Sequence, residues 1–253
     1  MLAPAAALLA LLAAAPAGGA PALAVAAAAN LRPALEELAA AFQARHPGGA
    51  VRATYGGSGL LVTQIASGAP FDLFLSADAA YPAELAARGL ADAPFTYAVG
   101  ELVVWVPAGA PIELERRGLA ALSDPRVERI ALPNPETAPY GRAAREALAA
   151  AGLWDGLRPR LVLGQSVAQA ASFAASGNAQ AAFLPRSLAG APPLAQAGRS
   201  WPVPASSHAP ILQAGAVLKA ARDPAQARAF AAFLLSDEGR AVLARHGYRA
   251  PPR

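Results

Sequence analysis

Cysteine is absent from the 253 residues, which excludes disulfides, thiolate metal sites and thiol nucleophiles. Histidine occurs only at His46, His208 and His246, too isolated for a histidine-based metal centre. Lysine is nearly missing as well, the basic residues being almost all arginine. Lys and Arg number 21 against 17 Asp and Glu, a net charge of +4, but Arg116, Arg117, Arg142, Arg145, Arg158 and Arg160 are scattered without a tract of five or six. No nucleic-acid footprint is visible in that spacing. Such a balance is ordinary for a solvated surface, with at most a weak attraction for small anions.

What is present begins with residues 1–20, MLAPAAALLALLAAAPAGGA, an apolar stretch ending in small residues and carrying no Lys or Arg. Its outline is that of a secretory signal peptide, with cleavage expected near Ala20. Pro4, Pro16 and the alanine-rich composition argue against a permanent span, and no Cys follows to carry a lipid. The expectation is a soluble, exported protein without a lipid anchor.

The chain is long enough for one large domain or two small ones with a substantial core. Its organising stretch is Tyr55-Gly56-Gly57-Ser58-Gly59-Leu60, between the strand pattern of residues 51–55 and the helical pattern of residues 61–66. Glycines let backbone approach a ligand, Ser58 adds a hydroxyl, and the first amides of a helix lack intrahelical acceptors. Such a loop holds an anion, although it also reads as a plain flexible turn.

Three more loops of this kind precede helix starts. Residues 22–28 form an apolar strand ending at Asn30-Leu31-Arg32-Pro33, where Asn30 suits either a helix cap or a ligand donor. The others are the loop from Asn134 to Gly141, containing Tyr140, and Gly164-Gln165-Ser166-Val167. Tyr140 reads equally as a packed aromatic or as a hydroxyl donor. Asp72 and Asp78 read as turn and capping groups, with no partner base nearby.

Strands over residues 71–75, 102–106, 129–132, 160–163, 180–184 and 211–218 alternate with helices, which predicts an α/β architecture of two lobes, each a mostly parallel sheet flanked by helices. Residues 21–98 and 205–253 are expected to form the first lobe and residues 99–204 the second, with the strands at 102–106 and 211–218 as a two-strand hinge. Ligands bind beyond the carboxyl ends of strands in such sheets, so the four loops converge between the lobes. Asn30, Ser58, Tyr140 and Val167 are the candidate contacts, with their adjacent amides. None carries a charge, and a fully ionised tetrahedral oxyanion, which presents only acceptors, suits that donor set. Glu136 is the one carboxylate in these loops and is expected to point away.

The chain resembles the periplasmic molybdate-binding proteins of ABC transporters, members of the type II solute-binding fold, over nearly its whole mature length. The motifs are Ala26-Ala27-Ala28-Ala29-Asn30-Leu31, Gly57-Ser58-Gly59, the long run from Gln64 to Asp78, Asn134 to Gly141, and Ser236 to Pro251. The resemblance implies that Asn30, Ser58, Tyr140 and Val167 contact molybdate or tungstate through its oxygens and not as direct metal ligands, with the amides of Ser58 and Val167 donating. It also implies no cofactor, a monomer, and delivery of the anion to a membrane permease. Some members supply a tyrosine near the end of the strand before residue 186, where this chain has Leu184-Pro185-Arg186, so a fifth contact departs from the pattern.

Two other classes bear on the same residues. A serine hydrolase is disfavoured because Leu60 replaces the last glycine of a nucleophile elbow. A binding protein for sulfate or an organic anion remains, and a carboxylate ligand calls for an Arg clamp, for which Arg32 and Arg186 are the candidates.

Overall fold

The computed structural model describes residues 22–251, so the leader expected over residues 1–20 lies outside the described residues. In chain order the strands are β1 (Leu23–Ala28), β2 (Val51–Gly56), β3 (Leu73–Ser76), β4 (Phe95–Gly100), β5 (Leu102–Pro107), β6 (Ile130–Pro133), β7 (Leu161–Gly164), β8 (Ala181–Pro185), β9 (Gly198–Pro202), β10 (Ile211–Val217) and β11 (Tyr248–Arg249). The helices are α1 (Arg32–Arg45), α2 (Ser58–Ala66), α3 (Ala80–Ala87), α4 (Leu114–Arg117), α5 (Pro139–Ala150), α6 (Trp154–Leu157), α7 (Val167–Ala175), α8 (Arg186–Ala189), α9 (Leu194–Ala197), α10 (Pro224–Leu235) and α11 (Asp237–Arg245).

These strands build two mixed sheets, one in the order β11-β4-β10-β3-β1-β2 and the other β7-β6-β8-β5-β9. Within the first, β1 runs parallel to β2 and β3, while β10 is antiparallel to β3 and β4. Within the second, β6 is parallel to β7 and β8, and β5 is antiparallel to β8 and β9. Buried on both faces, β1 reads Leu-Ala-Val-Ala-Ala-Ala and shows no alternation, as a central parallel strand should.

Helix α1 turns Ala34, Leu35, Leu38 and Phe42 onto the first sheet, a spacing that puts them on one helical face. Phe42 meets Phe230 of α10 edge-on at 5.1 Å, and full burial of such a side chain stabilises by roughly 1.5–3 kcal/mol. In the second sheet the core residues Val104, Ile130, Leu132 and Phe183 pack under Ala143, Ala144, Ala147 and Leu148 of α5. That same apolar cluster reaches Ala28, Ala29 and Ala77 of the first sheet's loops, so the two halves touch around the ends of their parallel strands.

The strands expected from sequence are all present within a residue or two. Three others carry weak patterns: β4, which is irregular opposite β10, the polar β9, and β11 of two residues. The hinge also sits slightly differently. Strands β5 and β10 each lie wholly in one sheet, and the chain crosses just before them, at Glu101 and over residues 203–210.

Candidate functional site

Every loop singled out in the sequence lies at the carboxyl end of a parallel strand. After β1 a 3-10 turn, Ala29–Leu31, carries Asn30. Gly57, in extended backbone, caps α2, and Ser58 is the first residue of that helix. Helix α5 starts three residues earlier than its sequence pattern indicates, at Pro139, whose fixed φ suits a first helical position and puts Tyr140 second. Ser166 caps α7 by accepting from Gln169 N, which leaves Val167 first in its helix.

Asn30, Ser58, Tyr140 and Val167 line one cavity together with Ala28, Ala29, Gly56, Gly57, Ala77, Ala138, Pro139 and Ser166. Its volume is about 10 Å³, room for about one water molecule, so it excludes an organic molecule, and a tetrahedral oxyanion enters only with a small separation of the facing loops. Asn30, Ser58 and Tyr140 are at most 2% exposed and Val167 7%. A wider hollow of about 320 Å³ adjoins it, but its charged groups are engaged, Asp78 with Arg142 and Glu146 with Ala209 N at 2.8 Å.

Among the described residues, no Asp, Glu, Lys, Arg or His lines the small cavity. Glu136 points outward, exposed and paired with Arg145 at 2.7 Å. Arg32 lies over the Tyr55 ring at 4.0 Å, and Arg186 pairs with Glu101 at 2.7 Å, so neither clamps a ligand here. His208 is partly exposed, with Nδ1 against the Ala209 carbonyl, and among the described residues it pairs with no serine. Among the described residues no group of three or more His, Asp or Glu is arranged for a metal ion.

The hydrogens facing the cavity come mainly from the main chain. Ser58, Tyr140 and Val167 occupy first turns, where amides have no intrahelical acceptor, and among the described residues their N–H groups have no other acceptor. The Ser58 hydroxyl accepts from Ala77 N at 3.0 Å, which leaves its own hydrogen free to donate. Ala77 is a participant that sequence reasoning missed, although it lies in the quoted motif after β3.

The two larger polar side chains turn away from the cavity. Asn30 caps no helix. Its Nδ2 donates to Gln213 Oε1 at 2.8 Å and to Tyr248 Oη at 2.7 Å. The Tyr140 hydroxyl lies against the Asn30 carboxamide and close to Gly100, where a Cβ would stand only 2.1 Å from it. Burial, and then the neighbouring Tyr248 hydroxyl, hold the Tyr97 and Tyr140 hydroxyls far above the usual tyrosine range, and burial does the same for Tyr248. Gln213 is the one polar side chain inside the apolar run of β10, a signal that sequence alone offered and that went unused.

The glycines of the Ser58 loop also make room for the facing loops. A Cβ on Gly59 would lie 3.0 Å from Tyr81 Oη and 3.1 Å from the Thr137 carbonyl, and one on Gly57 3.4 Å from the Gln165 carbonyl. Thr137 and Gln165 belong to the facing loops, so these glycines admit the opposite half of the molecule.

The family model of bacterial extracellular solute-binding proteins matches residues 23–249. The chain belongs to that family. One similar member, the molybdate-binding protein ModA of Rhodobacter capsulatus, is 38% identical over 215 residues, 84% of this chain and 82% of that one. The ModA of Azotobacter vinelandii is 35% identical over 215 residues, 84% of each chain. The solved periplasmic molybdate-binding protein of Azotobacter vinelandii superposes with a TM-score of 0.84 at 33% identity, covering 91% of this chain and 100% of that one. The two mixed sheets of this solute-binding protein are thus the two-lobed periplasmic-binding-protein fold, and its family is one of solute binding and not of catalysis.

Proposed function

We propose that the chain is an exported binding protein that captures molybdate, and tungstate with it, between its two lobes and delivers the anion to the membrane permease of an ABC transporter. The observation that carries this reading is the small cavity whose free hydrogens belong to main-chain amides and the Ser58 hydroxyl, with no charged side chain on its walls. A fully ionised tetrahedral oxyanion offers only acceptors to those donors, and a carboxylate on the wall would repel it. The similarity to proteins named for molybdate binding supports the choice of anion.

Asn30, Ser58, Tyr140 and Val167 are the proposed contacts, through the anion's oxygens, and the Asn30 and Tyr140 contacts are assigned to their main-chain amides. Each hydrogen bond to a charged ligand contributes about 1.5–3 kcal/mol. Five or six reach roughly −8 to −12 kcal/mol after association costs, which is micromolar to nanomolar affinity. Residues 21–98 and 205–253 are taken as one lobe and 99–204 as the other, closing as a monomer to form the surface that the permease reads. The leader over residues 1–20 would direct the protein to the periplasm without a lipid anchor, and no catalytic step is assigned.

Thermal unfolding with molybdate, tungstate, sulfate and phosphate added separately tests this. Ligand at a thousand times its dissociation constant stabilises by about 4 kcal/mol, a rise in Tm of about 8–16 °C at this size. A rise with molybdate and tungstate alone is expected. A rise with sulfate or phosphate instead would keep the fold and overturn the ligand.

A further inference from the structure

Behind the cavity lies a buried polar cluster built on Asn30, whose other members, Gln213, Tyr248 and Ser187, do not line it. Gln213 is fully buried in β10, at the position where the β10–β4 register shifts. Bulges of that kind re-aim a side chain. Gln213 Nε2 donates to the Ile211 carbonyl at 3.1 Å, which fixes the orientation of its amide and turns Oε1 toward Asn30. Asn30 must therefore present Nδ2, and its second hydrogen goes to Tyr248 Oη.

The other side of the residue is held as well. The Asn30 carbonyl accepts from Tyr248 Oη at 2.9 Å and from Ser187 Oγ at 2.8 Å. Gln213 and Tyr248 come from the first sheet and Ser187 from α8, which follows β8 of the second. Residue 30 is thus gripped by side chain and carbonyl together, and its own N–H, in the 3-10 turn that lines the cavity, has no acceptor among the described residues.

We infer that Gln213 and Tyr248 are positioning residues for oxyanion recognition: neither lines the cavity, and together they hold Asn30 so that its amide faces the anion. This rests on the ligand reading above. Ser187 adds the second lobe to the same carbonyl, so the grip on Asn30 is complete only with the lobes together. Tyr248 also gives the two-residue β11 a task, since its pairing with Gly100 of β4 sets the depth of the hydroxyl.

The test uses Gln213→Met and Tyr248→Phe, which keep size and remove the polar contact, each alone and combined with Asn30→Ala. Calorimetric titration with molybdate well below Tm should show each single change weakening binding about tenfold; once Asn30 is Ala, Gln213→Met should cost less than about twofold, because its contact is with that side chain, and Tyr248→Phe clearly less than about tenfold, since only its bond to the residue 30 carbonyl remains to be lost. Loss of fold stability alone would not yield this non-additivity. Equal affinity in folded single variants, or full additivity with Asn30→Ala, would overturn the inference. A second measurement does not depend on the ligand: hydrogen exchange of residues 29–31 without added oxyanion should speed up about tenfold in both variants, and unchanged exchange would overturn the positioning role. Absence of molybdate binding by the unmodified protein alongside faster exchange in the variants would sink the ligand reading and leave the grip on Asn30 standing.

Discussion

Ser58 and Tyr140 both line the cavity, yet they are predicted to behave differently when their hydroxyls are removed. The Ser58 hydroxyl accepts from Ala77 N and has a hydrogen to give, so Ser58→Ala should weaken oxyanion binding about 10- to 150-fold, the worth of one charged hydrogen bond, and also lower the ligand-free Tm by a few degrees, because Ala77 N loses its buried acceptor. Tyr140 Oη is buried against Gly100 and Asn30, so Tyr140→Phe should lower the ligand-free Tm as well but affect affinity less than Ser58→Ala. Titration and melting of the two variants side by side decide the matter, and the opposite ranking would place the Tyr140 hydroxyl on the ligand. Gly59→Ala probes the facing loops: its methyl would stand 3.0–3.1 Å from Tyr81 Oη and the Thr137 carbonyl. That variant should bind several-fold more weakly while melting at the same temperature or slightly higher without ligand, since Ala favours the helix.

At the scale of elements, Asp72 is the pin of the first sheet. Its carboxylate, only 3% exposed, accepts from Ala24 N at 2.7 Å, from Arg222 N at 2.8 Å and from the Arg222 guanidinium at 3.1 Å, tying β1 and β3 to the segment between β10 and α10. Burial alone would raise its pKa, but the Arg222 side chain and the two amides outweigh that and hold it below the usual carboxylate value. A depressed folded-state pKa means a stability contribution present above the unfolded value of about 3.9 and lost as pH falls through the folded value. Asp72→Asn should therefore cost about 1.5–3 kcal/mol in urea unfolding at about pH 7, and the gap to the unmodified protein should narrow at about pH 3. A gap that stays constant with pH would assign the cost to packing and not to charge. The order of these elements was plain in the sequence, because β1, β3 and α1 carry strong apolar patterns. Strands β4 and β11 were not, since an irregular strand and a two-residue strand hold their places only through the neighbours they pair with.

For the whole molecule, the buried hydroxyls of Tyr97, Tyr140 and Tyr248 set an alkaline limit. Their raised folded-state values mean stability fully present below the unfolded tyrosine value of about 10 and lost as pH rises through the folded values. Unfolding followed by tyrosinate absorbance should show ionisation and loss of structure in one cooperative step above about pH 10. Because no histidine or carboxylate lines the cavity, oxyanion affinity should be flat between about pH 6 and 9. A binding curve with a midpoint near the histidine value of about 6.5 would require a titrating group that the cavity does not contain.

The amino-acid sequence by itself determined the alternation of strands and helices, the four loops at helix starts, and a donor set without charge, because apolar period, glycine and capping chemistry act between neighbours in the chain. It also singled out Asn30, Ser58, Tyr140 and Val167, which the fold brings to one cavity. Only the tertiary structure decided which atoms of those residues face the cavity. Asn30 turns its carboxamide to Gln213 and Tyr248, which lie 183 and 218 residues away in sequence, and its two hydrogens can be engaged there only once β10 and β11 have taken their places beside β4. The glycines of the Ser58 loop follow the same logic, since the atoms that exclude a side chain at Gly59 belong partly to the opposite lobe and are brought close by folding alone.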